Sequence, residues 1–170
     1  LSNQINLFKD IFCMEFLGLK TDISIDDLIS STMQNLMIQP WVNCHFDFER
    51  RNLILNQEQI TVIDYQDMKI GPIGIDLSGI LIDHYYNVDF KNIENMLNYF
   101  SKKSKVKYSN SELLDFLRWG CIQRNMRILG TLANLYLRQR RDFRLKDLSM
   151  ILTNLLSMIP DDFEARDYIL

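Results

Sequence analysis

No apolar run in this sequence comes near the roughly twenty residues that a bilayer-spanning helix needs, so membrane contact is not expected. Cysteine is scarce as well. Cys13, Cys44 and Cys121 lie far apart with no C-x-x-C pair, which excludes a disulfide framework and fits reduced thiols in a cytoplasmic protein. With 6 glycines and 3 prolines in 170 residues, collagen-like and low-complexity chains are excluded too. An excess of basic charge is also missing. The net charge is −3 and the sequence pI about 5.4, which argues against a general nucleic-acid binder, since phosphate contacts need a basic surface. The basic cluster Arg138, Arg140, Arg141 and Arg144 falls near a helix end and reads as a solvated terminus favoured by the helix dipole.

What is present is core. Hydrophobic residues make up 47% and aromatics 11%, enough for one compact domain. From Asn3 to Leu19 apolar residues recur at helical spacing (Ile5, Phe8, Ile11, Phe12, Phe16, Leu19), and Phe8, Phe12 and Phe16 read as core. A second helix is expected over Ser24–Ile38, capped by Ser24 or Asp22 and ended by Pro40. Trp41–Cys44 reads as a short strand or turn leading into His45. Leu53–Leu55 and Ile60–Ile63, joined by the polar Asn56-Gln57-Glu58-Gln59, predict a hairpin, and Gly71-Pro72 with Gly74 a loop after it. Helices are expected over Ile75–Tyr86, Phe90–Ser101, Ser111–Gln139 and Leu145–Met158, with Ser109-Asn110-Ser111-Glu112 supplying a cap for the longest and an acidic residue in its first turn. The fold class expected is α+β, mostly helical, with a small hairpin near the middle of the chain.

The stretch His45-Phe46-Asp47-Phe48-Glu49-Arg50-Arg51-Asn52 departs from core-and-surface patterning. It sets a histidine two residues before an aspartate and an asparagine five after it, and the hairpin then brings the chain to Asp64. Phosphoryl transfer asks for such a set: one carboxylate to take the proton of the attacking hydroxyl, and an amide oxygen with a second carboxylate to hold Mg²⁺ against the phosphates. Taken singly, Asp47 is a turn residue and Asn52 is ordinary. Together with Asp64, and with Asp76 following, they form a set that suits phosphoryl transfer. A zinc reading of His45, His84 and Asp47 lacks a third nitrogen or sulfur ligand at metal spacing. Trp119, amid Leu113, Leu114, Phe116 and Leu117, reads as core, with a sugar-stacking platform as the alternative.

The H-x-D-x-x-x-x-N loop, the hairpin and Ile63-Asp64-Tyr65 resemble the catalytic loop and metal-binding aspartate of protein kinases and their small-molecule relatives. Gly71-Pro72 followed by Asp76-Leu77 is similar to the G-P-x-x-x-D-L element of the aminoglycoside phosphotransferase and choline kinase group. Ile63-Asp64-Tyr65-Gln66-Asp67, Asp83, Tyr85 and Gln123–Gly130 resemble the bacterial kinases that phosphorylate N-acetylmuramate and N-acetylglucosamine at the anomeric hydroxyl during cell-wall recycling. By that resemblance Asp47 is the catalytic base and His45 orients its loop. Asn52 and Asp64 hold Mg²⁺, Ile54 and Ile63 lie beneath adenine, and Asp76 accepts loop backbone N–H groups. Glu49, Asp67, Asp83 and Arg124 are candidate substrate contacts, with an internal salt bridge the alternative for Asp83 and Arg124. ATP and Mg²⁺ are the implied cofactors, and a sugar hydroxyl the implied acceptor. Glu49, where the family often has histidine or a small polar residue, leaves the acceptor open.

An ATP-dependent kinase also needs a Gly-rich loop and a phosphate-paired lysine. Gly18 is the one glycine before residue 71, and no G-x-G-x-x-G or V-A-I-K-like segment occurs. The expectation is a kinase-like C-terminal lobe over residues 1–170, without the N-terminal ATP-binding lobe and inactive alone. Two alternatives stay open at this point: an aminoglycoside- or choline-type kinase, and a non-catalytic module that binds a metabolite or partner.

Overall fold

The computed structural model describes residues 2–20, 22–82, 84, 88–104 and 107–170. It is mostly helical, with two small antiparallel sheets. The spine is α5 (Asn110–Gln139), thirty residues long. Its start is fixed by the capping box: the Ser109 N–H donates to Glu112 Oε2 at 2.8 Å, and the Glu112 N–H returns to Ser109 Oγ at 3.3 Å. Its end turns on Arg140, whose left-handed conformation (φ +56°) lets the backbone N–H reach the last carbonyls.

Around this spine pack α1 (Ser2–Leu7), α2 (Ile23–Met37), α3 (Gly74–Leu81), α4 (Phe90–Lys103) and α6 (Leu148–Met158). A short α7 (Ala165–Ile169), which the sequence reading did not foresee, packs on α2. The first helix is not α-helical throughout: Phe8–Phe16 winds as a π-helix, and the Leu17 N–H bonds the Phe12 carbonyl five residues back. Phe8, Phe12 and Phe16 stack along it, with centroids 5.6 and 5.8 Å apart, and Phe16 meets Tyr136 of α5 edge-on. For α2 the cap is Asp22, which accepts from the Ser24 N–H at 2.7 Å. Trp119 is buried edge-on to Phe163, a core position and not an exposed stacking platform.

Two glycines set the crossing of α3 on α5. A Cβ on Gly120 would strike the Gly74 carbonyl, and one on Gly74 would strike the Phe116 carbonyl. Gln39 bridges the same junction, accepting from the Gly74 N–H at 2.9 Å and donating to the Phe116 carbonyl at 3.2 Å. All three cysteines are buried free thiols, and burial pushes each up to about 12.

The sheets are ribbons. β1 (Trp41–Cys44) pairs with β4 (Lys69–Pro72), Trp41 opposite Pro72 and Cys44 opposite Lys69. The sequence reading left Gly71-Pro72 as loop. Pro72 is tolerated because it ends a two-stranded edge, where no further strand asks for its N–H. β2 (Leu53–Asn56) and β3 (Gln59–Val62) form the predicted hairpin, with Leu53 opposite Val62. Gln57 and Glu58 turn it with positive φ. Its apolar side chains Ile54, Leu55, Ile60 and Val62 are exposed. Among the described residues no helix is long and apolar enough to cross a membrane.

Candidate active site

The loop between β1 and β2 is held from both sides. Asp76, in the first turn of α3, accepts the His45 N–H at 2.6 Å on one carboxylate oxygen and the Phe46 N–H at 2.9 Å on the other. These charge-assisted bonds hold Phe46 in the left-handed region (φ +67°), which a bulky residue occupies only when its surroundings impose it. The far end of the Phe46 ring then reaches Gly71, where a Cβ would come within 2.5 Å of it. Lys69 sits 4.4 Å above the centroid of the same ring. Burial raises the Asp76 carboxyl above its ordinary range, and the two backbone donors work against that rise.

His45 ties the loop to the hairpin. Its Nε2 lies 2.9 Å from the Ile63 carbonyl oxygen, which can only accept, so Nε2 carries the proton. The hairpin ladder continues past Leu53, with the Ile63 N–H donating to the Asn52 carbonyl at 3.0 Å. Asn52 and Asp64 therefore stand at the open end of one hairpin, one on each side. The buried Asn52 donates through Nδ2 to the Asp47 carbonyl at 2.7 Å, which leaves its Oδ1 free to accept. Asp64 takes a positive φ of 62°, a region aspartate tolerates, and accepts from Gln66 Nε2 at 2.7 Å. Hard oxygen donors from one amide and one exposed carboxylate, with no nitrogen or sulfur, suit Mg²⁺ bound jointly with phosphate oxygens. No cluster of three His, Cys, Asp or Glu that could hold an ion alone occurs among the described residues.

Asp47 is partnered by Arg51, whose Nη2 donates to Oδ2 at 2.7 Å, and more weakly by Asn52 at 3.4 Å. Arg51 also reaches Glu49 at 3.0 Å. Burial works to raise the Asp47 carboxyl, but the hydrogen bond with Glu49 and the Arg51 guanidinium outweigh it and hold Asp47 below the usual carboxylate range. Glu49 moves the other way, pushed up by burial against the pull of Arg124. Arg124 is 2% exposed and bonds Glu49 from α5, so it supports the loop from behind and is not itself a wall of the cleft. His84 lies in the same buried layer, 4.0 Å from Glu49.

His45, Asp47, Glu49, Asp64 and Asp67 line one wall of a cleft of about 540 Å³. The cleft is also lined by α5, through Arg127, Ile128, Thr131, Leu132 and Leu135, and by Phe143 and Arg144. Ile54 and Ile63 stand outside it, 49% and 37% exposed on the hairpin. Of the expected site residues, Asp83 lies outside the described residues. The sequence reading missed Arg51, Lys69, Arg127 and Arg144. The signal for Arg127 was the spacing of 127, 128, 131, 132 and 135, which puts these residues on one face of a helix. The basic cluster assigned to a solvated helix end divides: Arg138 pairs with Glu15 on the surface at 2.6 Å, whereas Arg144 bonds Asp147 at 2.9 Å and faces the cleft.

The model of the phosphotransferase enzyme family matches residues 15–98, which include the loop, both sheets and α3. Over 148 residues the chain is 29% identical to the N-acetylmuramate/N-acetylglucosamine kinase of Neisseria meningitidis serogroup B, covering 82% of this chain and 44% of that protein. It is 26% identical, again over 148 residues, to the N-acetylmuramate/N-acetylglucosamine kinase of Pseudomonas aeruginosa, covering 79% of this chain and 43% of that one. The chain thus spans less than half the length of these relatives. By these matches it is a relative of the phosphotransferase enzyme family and of kinases named for N-acetylmuramate and N-acetylglucosamine.

Proposed function

We propose that these 170 residues are the catalytic-loop lobe, of the kind C-terminal in kinase-like folds, of an ATP- and Mg²⁺-dependent kinase that phosphorylates a small-molecule hydroxyl. The acceptor we infer is an amino sugar, N-acetylmuramate or N-acetylglucosamine, phosphorylated at the anomeric position. The observation that carries the reading is the convergence of Asp47, Asn52 and Asp64 at the open end of one hairpin, beside a cleft. Asp47 accepts the acceptor's proton as its oxygen bonds to the γ-phosphorus and the bond to ADP breaks. Mg²⁺, when bound, neutralises charge on the phosphates, and Asn52 Oδ1 with the Asp64 carboxylate are the groups that would hold it. Asp76 and His45 keep the loop and hairpin in one arrangement, so that little reorganisation remains when substrates arrive. The exposed apolar hairpin offers Ile54 and Ile63 to the adenine face.

The groups that cover the phosphates lie, in this reading, outside these 170 residues. The isolated chain then binds nucleotide poorly and turns over negligibly, and robust turnover by the chain alone, abolished in Asp47→Asn, would refute that part. An aminoglycoside- or choline-type acceptor is the second reading, since Asp47, Glu49, Asp64 and Asp67 line the cleft beside its cations, and ³¹P NMR of the product made with those acceptors decides between the two. A purely binding module has no chemical use for Asp47, Asn52 and Asp64 together. The test is ³¹P NMR of the product made by the full-length protein from Mg·ATP and each sugar. A doublet coupled to the anomeric proton supports the reading. Phosphate on another hydroxyl keeps the kinase and discards the position.

A further inference from the structure

Among the described residues two cations of the cleft have no carboxylate within ion-pair distance: Lys69, which is exposed, and Arg127, which is half-buried. Arg51 spans Asp47 and Glu49, Arg124 holds Glu49, Arg144 holds Asp147, and Lys69 lies over the Phe46 ring. Among the described residues no carboxylate comes within ion-pair distance of Arg127. It is half-buried on α5, and burial is the main cause that pulls its guanidinium below its ordinary value, with Arg124 acting the same way and the more distant charges of Asp47 and Glu49 pulling against them. Taking a charge out of water without a partner is costly, so a protein that keeps one in a cleft has a ligand charge to meet there. A guanidinium fork matches a carboxylate or phosphate oxygen pair in shape as well as charge.

The position of Arg127 says which molecule brings that charge. It opens the α5 face whose later turns supply Ile128, Thr131, Leu132 and Leu135, and this face lines the same cleft as Asp47 and Asp64. A ligand placed between them would give a hydroxyl to Asp47 and turn its remaining substituents toward α5. Arg144 also lines the cleft, but its charge is already met by Asp147 at 2.9 Å. The apolar side chains below suit the carbon skeleton of a small ligand.

We propose that Arg127 is the specificity-determining residue that reads a carboxylate on the acceptor, so that the site favours hydroxyl compounds bearing an anionic substituent over neutral ones. This rests on the kinase reading above. The other source of the same chemistry is the phosphoryl group in transfer, and the experiment separates the two.

The probes are N-acetylmuramate and N-acetylglucosamine, which differ by a lactyl ether carrying one carboxylate. Each is titrated calorimetrically into the full-length protein without nucleotide. The wild type is expected to prefer the carboxylated sugar by on the order of tenfold to a hundredfold, the range of one charge-assisted hydrogen-bonded pair. Arg127→Gln removes that preference and leaves the neutral sugar's affinity unchanged, while Arg127→Lys restores part of it. An unchanged preference in Arg127→Gln overturns the proposal, and so does equal weakening of both sugars. Unchanged sugar binding together with a raised KM for ATP also overturns it and assigns Arg127 to the phosphoryl group. Should neither sugar bind the wild type, the sugar reading fails by itself, and D-lactate decides the anion site: perturbation of the Arg127 Nε–H resonance keeps it, and no perturbation removes it.

Discussion

His84 gives a prediction that can be worked in numbers without knowing any substrate. The ring is 4% exposed, and among the described residues neither nitrogen has a hydrogen-bond partner. Burial lowers its proton affinity first, and the charges of Arg124, Arg144, Arg51 and Arg127 lower it further, so the value falls from 6.5 to about 3. The folded protein therefore keeps this ring neutral while the unfolded chain takes up a proton below pH 6.5. Because the unfolded state binds more protons in that window, stability falls as the pH drops from about 6.5 toward 3. At pH 5, about 1.5 pH units under the unfolded value, the loss attributable to His84 is about 2 kcal/mol. The assay is urea unfolding of wild type and His84→Gln at pH 8 and pH 5. The loss between the two pH values is expected to be about 2 kcal/mol smaller in the variant, whatever its absolute stability. Glu49, 4.0 Å away, is the one described carboxylate within ion-pair reach that could stabilise the imidazolium. Identical pH slopes in the two proteins, or an NMR titration of the folded ring near 6.5, would show that Glu49 wins and that the neutral buried ring is wrong.

Gly120→Ala drives a methyl into the Gly74 carbonyl and should destabilise by about 3 kcal/mol or more, read by urea or thermal unfolding, because both partners are backbone and neither can swing aside. Asp76→Asn keeps the shape but removes the charge that holds two loop N–H groups, and should lower kcat roughly tenfold to a hundredfold with a smaller change in Tm. The acid limb of kcat/KM should lie below the ordinary carboxylate range, where Asp47 is held, and Arg51→Met should move that limb upward by removing one of the groups that hold it there. Asp64→Asn should raise the Mg²⁺ concentration needed for half-maximal rate by tenfold or more, seen in a metal titration at fixed ATP.

The helices, the hairpin and the loop were legible because each rests on local chemistry. The capping box at Ser109 and Glu112 starts α5, Asp22 starts α2, and two short apolar runs joined by the polar Asn56–Gln59 mark the hairpin. The Asp47, Asn52 and Asp64 set could be read because it shares one short stretch of chain, where spacing stands in for geometry. What was missed is long-range. β4 pairs with a strand twenty-eight positions earlier, and nothing local in Lys69-Ile70-Gly71-Pro72 announces that partner. The π winding of Phe8–Phe16 preserves the apolar periodicity of an α-helix, so the pattern alone does not separate them. Arg127 and Arg124 sit one turn apart on α5, yet one faces the cleft and the other holds Glu49 behind the loop. The sequence offered both as polar residues in a helix and could not say on which side the catalytic loop would lie. Arg144 was read with its basic neighbours as surface, because the turn after Arg140 that carries it back to the cleft depends on a left-handed residue without glycine.

The most direct test of the central claim is coupled ADP release by the full-length protein with Mg·ATP and N-acetylmuramate, for wild type and Asp47→Asn. The account predicts sugar-dependent ADP release that falls by about a hundredfold or more in the variant, the contribution of a positioned general base, while the folded Tm is retained. Release that is equal in both proteins, or that proceeds without any hydroxyl acceptor, would contradict it.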